Sequence, residues 1–370
     1  MKGRGVLPAQ MMRDMIAAGF IPGASIDRVQ PASLDLTISE QAYRVGSVFQ
    51  PWPDETIEHA MQLVEPEEHD LRRPLEVDII YLIRLNESLR LPEQVYAYAN
   101  PKSSTGRNDI HVRMLADGIT RFDSAGTPGY RGALWALVTP RSFRVRLNPG
   151  DSLQQLRLFN TDTRFTGDDE LQVQYKLHRL LWTPGGQFVE WAGLRIRDHR
   201  GALILTVNLD LDVVGYCCTR SQKVLDFSKR DAYDPADFFQ PIPRPRGQVL
   251  TLRRGDFYIL STSEFLRVPA ALTAEMEPVD IRAGDYRAQY AGYFDPGWGF
   301  GPDGNLRGAP AVLEARSFEE NLTIRHGQPV CRMTFERMAA PPDTLYGATT
   351  VQSHYLLQRG PRLSKHFRQP

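Results

Sequence analysis

Cysteine is scarce in this sequence, long apolar runs are missing, and neither charge is in excess. Only Cys217, Cys218 and Cys331 occur in 370 residues. Two of them are adjacent and none forms a C-x-x-C pair, which excludes a disulfide framework and a cysteine-based zinc site. A reducing, cytoplasmic setting fits that usage. No segment approaches the roughly 18 consecutive apolar residues that span a bilayer. The opening residues, Met1-Lys2-Gly3-Arg4-Gly5-Val6-Leu7, lack the apolar centre of a secretory signal. Lysine plus arginine and aspartate plus glutamate both total 44, giving a net charge of zero. That balance argues against a nucleic-acid or membrane partner, leaving local basic patches as the place to look for anion binding.

What the chain does have is punctuation. Its 27 prolines and 29 glycines break it into short segments. Its length exceeds one ordinary domain, so two are expected. Met11, Met12, Met15 and Ile16 recur at helical spacing, predicting a helix within residues 6–21 that ends near Gly19. Leu34, Leu36 and Ile38 alternate with Ser33, Asp35 and Thr37, the period of a half-buried strand. Asp35 is unusual there, because aspartate is depleted in strands. Residues 50–74, rich in proline and acid, read as an excursion over the surface. Strand-like runs follow at 77–83, 95–99, 111–114, 133–138 and 153–159, separated by turn residues. Short strands at such spacing predict an all-β sandwich or barrel.

One stretch stands out chemically. Asn100-Pro101-Lys102-Ser103-Ser104-Thr105-Gly106-Arg107 follows a strand-like run and holds two cations and three hydroxyls. Pro101 cannot donate to a sheet ladder and so ends the strand. A Ser-Ser-Thr run after such a break starts a turn or helix whose free N–H groups suit an anion. Lys102 and Arg107 add charge and forked donors suited to phosphate.

The chain also repeats itself. Tyr81–Pro92 matches Tyr258–Pro269, an offset of 177 residues that Pro101 and Pro278 keep. Phe122-Asp123 is matched to Phe294-Asp295, Arg131-Gly132-Ala133 to Arg307-Gly308-Ala309, and Arg141-Ser142-Phe143 to Arg316-Ser317-Phe318. One unit used twice is the economical reading. Thr183-Pro184-Gly185-Gly186 is the expected boundary, dividing the chain into domains 1–183 and 187–370. In copy two, Val279-Asp280-Ile281-Arg282-Ala283-Gly284 replaces Lys102–Arg107, so the phosphate-type loop belongs to copy one alone.

With these motifs in order, the chain resembles the dCTP deaminase family of the dUTPase-like superfamily, in its long tandem form. The carrying residues are Gln30–Leu36, Asn100–Arg107, Phe122-Asp123 with Gly129–Gly132, and Gly150–Arg157 in copy one. In copy two they are Phe294–Trp298, Ala311–Glu314 and the tail Tyr355–Lys365. The resemblance implies a mostly β protein: two tandem distorted β-barrels or jelly rolls with a few short helices. It implies hydrolysis of dCTP to dUTP and ammonia without a catalytic metal, and Mg²⁺ bound only with the triphosphate. None of the eight histidines begins the H-x-E of zinc deaminases. Homo-oligomers, with a trimer favoured, and dTTP as a candidate regulator are further expectations of the family.

Carried over by position, Lys102, Ser103 and Ser104 match the triphosphate loop, and Ser103 and Arg107 the catalytic serine and arginine. Asp123 matches the deoxyribose and base turn. Tyr355 and Gln358 fall in the tail that folds over the nucleotide. The general-base glutamate departs from the pattern: Leu137 occupies its expected place in copy one, whereas Glu314 fits in copy two, its alignment shifted by a residue or two. The mechanism this implies uses one carboxylate, its pKa raised by burial, for both proton steps. Glu314 is the expected base, with Ser103 and Arg107 contributed across an interface to orient it and the water. Two other readings stay open: a dUTPase-type or bifunctional enzyme releasing pyrophosphate, and a nucleotide-binding protein that has lost its chemistry.

Overall fold

The computed structural model describes residues 3–194, 200–279, 286–287, 292–349, 351 and 354–369. The chain forms two compact units that are not contiguous halves. The first, here the loop-bearing unit, comprises Leu7–Thr161, Arg220–Phe238 and Ser364–Pro370. The second, the carboxylate-bearing unit, comprises Met1–Val6, Asp162–Thr219 and Phe239–Leu363. The Thr183–Gly186 segment is a turn inside the second unit, closed by Gly186 N–H to Thr183 O at 2.9 Å. The helix Asp168–His178 and the strand Leu181–Trp182 on either side of residue 180 both belong there.

The loop-bearing unit is built from two antiparallel sheets. One runs Glu67–Glu68, Ile38–Val45, Ile80–Arg90, Arg131–Pro140, Ile110–Ala116. The other runs Leu34–Leu36, Gln154–Phe159, Tyr96–Pro101, Ser124–Ala125. Alternation in sequence becomes alternation in burial: Ala97, Ala99 and Pro101 are buried while Tyr96, Tyr98 and Asn100 are half-buried. The predicted helix is Ala9–Ala17, which buries Ala9, Met12 and Met15. It stops two residues short of Gly19, after which Gly19 takes a left-handed φ of 75°.

The 50–74 stretch is more than an excursion. Thr56 caps a short helix, Ile57–Ala60, that continues as a 3₁₀ turn, Met61–Val64. Ile57, Met61 and Val64 are buried in one cluster with Leu82, Leu115, Trp135 and Leu137. The apolar residues hidden in this acidic segment therefore cover part of the five-stranded sheet.

The carboxylate-bearing unit repeats the plan. One sheet runs Phe239–Pro243, Val213–Cys218, Phe257–Leu266, Ala309–Ser317, Tyr286–Arg287, with Leu181–Trp182 also on Phe257–Leu266. The other runs Leu203–Thr206, Pro329–Arg337, Leu272–Pro278, Tyr293–Phe294. Leu82 opposite Leu137 and Ile259 opposite Glu314 obey the same 177-residue offset in both strands, and so does the bulge beside each. Gln154 opposite Pro101 and Cys331 opposite Pro278 obey it as well.

Strand register corrects three of the sequence matches. Ala125 lies opposite Ala97 and Phe294 opposite Ala274, so Phe294 stands at the place of Ala125 and Asp295 is not the counterpart of Asp123. Gly132 corresponds to Ala309, one residue on from the sequence match. Applied to Arg141, the same offset reaches Phe318, not Arg316. Turn lengths differ between the copies, whereas hydrogen-bonded strands cannot slip one residue without turning every side chain to the other face.

Candidate active site

The loop after Tyr96–Pro101 is a single helical turn, Ser103–Gly106, entered through Lys102 in extended conformation. Its backbone is fixed by Lys102 N–H to Leu153 O at 2.9 Å. The Thr105 hydroxyl donates to the same carbonyl at 2.8 Å. Lys102 and Ser103 are half-buried, while Ser104, Thr105 and Arg107 are buried. The Lys102 ammonium pairs with Asp35, which explains an aspartate in a strand: it faces the loop cation. Arg107 is 3% exposed, so its guanidinium belongs to the interior wall of the loop.

Asp123 sits in the turn before Ser124–Ala125 with a left-handed φ of 56°. Its carboxylate accepts from Arg113 at 2.8 Å, from the Met114 N–H at 2.8 Å and from Gln154 Nε2 at 3.2 Å. Burial raises its pKa, opposed by the Arg113 charge and by these hydrogen bonds. Gln154 lies opposite Pro101, so it links the Asp123 turn to the strand end that carries the loop. Ser33 donates to Gln155 at 3.2 Å in the same sheet. Asp35 and Gln155, directly opposite each other, share one face with Ser33, whereas Gln154, the next residue of its strand, points to the other face and to Asp123; all four are buried.

Sequence reasoning missed Lys365 as a member of this site. It belongs to the Ser364–Pro370 segment of the loop-bearing unit. Burial, and then the like charges of Lys102 and Arg230, push its pKa down to about 8; Asp35 and Asp151 oppose them. The signal lay in sequence, since the tail motif contains the lysine, but only folding places it near Lys102 and Arg230.

Glu314, Tyr355 and Gln358 belong to the carboxylate-bearing unit, and Lys102, Ser103, Ser104, Arg107 and Asp123 to the loop-bearing unit. Glu314 is 1% exposed on the all-buried strand Ala309–Ser317. The register makes it the counterpart of Leu137, resolving the uncertain alignment. Arg316, on the same strand, donates to the Gly255 carbonyl. Gln358 Nε2 donates to Pro310 O at 2.6 Å, on the strand of Glu314, and Tyr355 packs into the unit's apolar core. Residues Asp280–Gly284, the counterpart of the loop, lie outside the described residues.

The two β units thus share one plan, one carrying a cation- and hydroxyl-rich turn and the other a buried strand carboxylate. The N-terminal domain model of 2'-deoxycytidine 5'-triphosphate deaminase matches residues 3–162, and the C-terminal domain model matches residues 190–367. The crystal structure of 2'-deoxycytidine 5'-triphosphate deaminase from Agrobacterium tumefaciens is 32% identical, with a TM-score of 0.82. That likeness covers 92% of this chain and 100% of the other. A dCTP deaminase, dUMP-forming, of Methanobrevibacter smithii is 28% identical over 138 residues, 37% of this chain and 67% of that protein. The protein of that name from Corynebacterium glutamicum is 30% identical over 124 residues, 33% of this chain and 61% of its own length. The chain belongs to the dCTP deaminase family of enzymes.

Proposed function

We propose that the protein hydrolyses dCTP at C4 of cytosine, releasing dUTP and ammonia, with Glu314 as general base and acid. The observation that carries this reading is the complementary distribution of parts. The unit with the intact loop has Leu137 at the base position, and the unit without that loop has Glu314 at the same register. Lys102, Ser103, Ser104 and Lys365 hold the triphosphate, and Mg²⁺ arrives with it. Arg107 and Ser103 orient the water and stabilise charge that develops during attack. Asp123, held by three donors, shapes the sugar and base turn. Glu314 takes one proton of the attacking water and delivers it to ring N3, then takes the C4 hydroxyl proton and passes it to the departing amino group, so the two water protons end on N3 and on ammonia as the C4–O double bond forms and the C4–N bond breaks. Tyr355 and Gln358 stabilise the strand and core around Glu314, which supports a role in placing the base; their direct contact with nucleotide is part of the proposal.

A second reading is favoured by the names of the curated relatives, which are dUMP-forming. A bifunctional enzyme would go on to hydrolyse dUTP. Incubation with dCTP and Mg²⁺, with ammonia and pyrophosphate assayed together, decides. Ammonia alone supports the first reading, and both products support the second. Neither product, with dCTP still raising the melting temperature, would leave a nucleotide-binding protein. The proposed assembly is a homotrimer carrying six β units, cytoplasmic, with dTTP tested as a regulator. A monomer by light scattering would remove the trimer.

A further inference from the structure

The end of the chain closes a buried hydrogen-bond network on the loop. Asn108, one residue past Arg107, donates from Nδ2 to the Ser104 carbonyl at 2.8 Å. That contact fixes the amide's orientation, because a carbonyl requires a donor. The same Nδ2 lies 2.9 Å from His366 Nδ1. The Ser364 hydroxyl donates to Asn108 Oδ1 at 2.8 Å and lies 2.9 Å from His366 Nδ1. His366 Nε2 is 3.0 Å from the Phe227 carbonyl. Only the neutral ring with hydrogen on Nε2 satisfies both ends: it donates to Phe227 and accepts from Asn108. Asn108, Ser364 and His366 are all at most 1% exposed.

Anchoring the tail does not require these groups. The backbone already pairs with residues 231–233, through Asp231 N–H to Lys365 O at 3.0 Å and Arg368 N–H to Tyr233 O at 2.9 Å. Phe367 packs against Tyr233 and Phe238. What the polar network adds is a fixed position of Ser364 and His366 against the loop itself, through Asn108 and the Ser104 carbonyl. Between those two residues stands Lys365, with its ammonium 5.9 Å from the Phe227 ring centroid. Lys102, Arg230 and Lys365 bring three positive charges to one place against Asp35 and Asp151. Three cations set among two carboxylates leave a positive excess that suits a polyphosphate.

We propose that Asn108, Ser364 and His366 are positioning residues that hold Lys365 at the triphosphate end of the loop. This rests on the dCTP reading for its substrate, and the test separates the two. Kinetics with dCTP are measured for Ser364→Ala, His366→Gln, Lys365→Ala and the Ser364→Ala/Lys365→Ala double variant, and tripolyphosphate binding is measured by calorimetry. Ser364→Ala and His366→Gln are expected to raise KM about five- to tenfold each, the scale of one lost hydrogen bond, with kcat within about twofold. Because they act through Lys365, the double variant should be no worse than Lys365→Ala alone. Additive losses, or a fall in kcat at unchanged KM, overturn the proposal. If the wild-type protein releases no ammonia, the functional reading falls. Tripolyphosphate then decides: weaker binding in both Ser364→Ala and Lys365→Ala supports the positioning role, and weaker binding only in Lys365→Ala refutes it. Ser364→Ala removes one hydroxyl and carries the test if His366→Gln does not fold.

Discussion

At matching places in the two units, the same backbone carries opposite chemistry. Asp35 lies opposite Gln155, and its counterpart Ile204 lies opposite Arg332. Gln154 becomes Cys331, and Leu137 becomes Glu314. The loop-bearing unit pairs Asp35 with Lys102 and has leucine at the place of Glu314, clustered with Ile57, Met61 and Val64. The other unit has apolar side chains at Ile204 and Cys331 and keeps the carboxylate. The framework between them is the same. Glu87 accepts from the Thr37 N–H and hydroxyl at 2.9 and 2.8 Å, and Glu264 accepts from the same groups of Thr206, both at 2.8 Å. Tyr81 accepts the Glu76 N–H at 3.0 Å, and Tyr258 accepts the Arg253 N–H at 2.9 Å. The duplicated scaffold thus carries different side chains at equivalent places of one framework.

The comparison breaks first at the base position. Glu314→Gln is expected to lower kcat about a thousandfold, within the range for a lost general base, while leaving tripolyphosphate affinity unchanged. Full deaminase activity in that variant would remove Glu314 from the mechanism. Leu137→Glu restores nothing by itself. It places a charge in an apolar cluster and should cost about 3 kcal/mol or more, read as a lower denaturation midpoint. A stable, active Leu137→Glu/Glu314→Gln protein would show that the two positions are interchangeable after all. One nucleotide per chain by calorimetry is the matching stoichiometry.

Next comes Lys365. Its folded pKa, about 8, lies below the ordinary lysine value of 10.5, so between those limits the unfolded chain binds more protons and stability rises with pH. Below about 8 both states hold the proton and the cost of burying the charge is fully present. Nucleotide binding runs the other way: KM for dCTP should rise as pH passes about 8 and the ammonium is lost. Lys365→Arg should flatten that rise, because arginine keeps its charge. A wild-type KM that stays level through pH 9 would count against Lys365 as a phosphate ligand.

The smallest effect tests what the units share. Glu87→Gln and Glu264→Gln each put an amide donor against a donor, and each should cost about 1–2 kcal/mol. Equal losses support one framework used twice, whereas a large loss in only one unit would mean that the bulges do different work.

Much of this was legible in the amino-acid sequence. Alternation marked the strands, Pro101 and the hydroxyl run marked the loop, and the 177-residue offset marked the duplication. Those signals are local or repeated, so they survive without a fold. The sequence reading of 50–74 as a surface excursion passed over Ile57, Ala60, Met61 and Val64, whose i, i+3, i+4, i+7 spacing is a helical period set among prolines and acids. It matched Asp123 to Asp295 through similar letters, where strand pairing assigns Phe294 to Ala125. The motifs and the family were determined by the chain alone. The equivalence of Leu137 and Glu314, and the return of Lys365 and His366 to the loop-bearing unit, were decided by tertiary structure. Sheet register and chain return are set by hydrogen bonds between residues far apart in sequence, which no local pattern encodes.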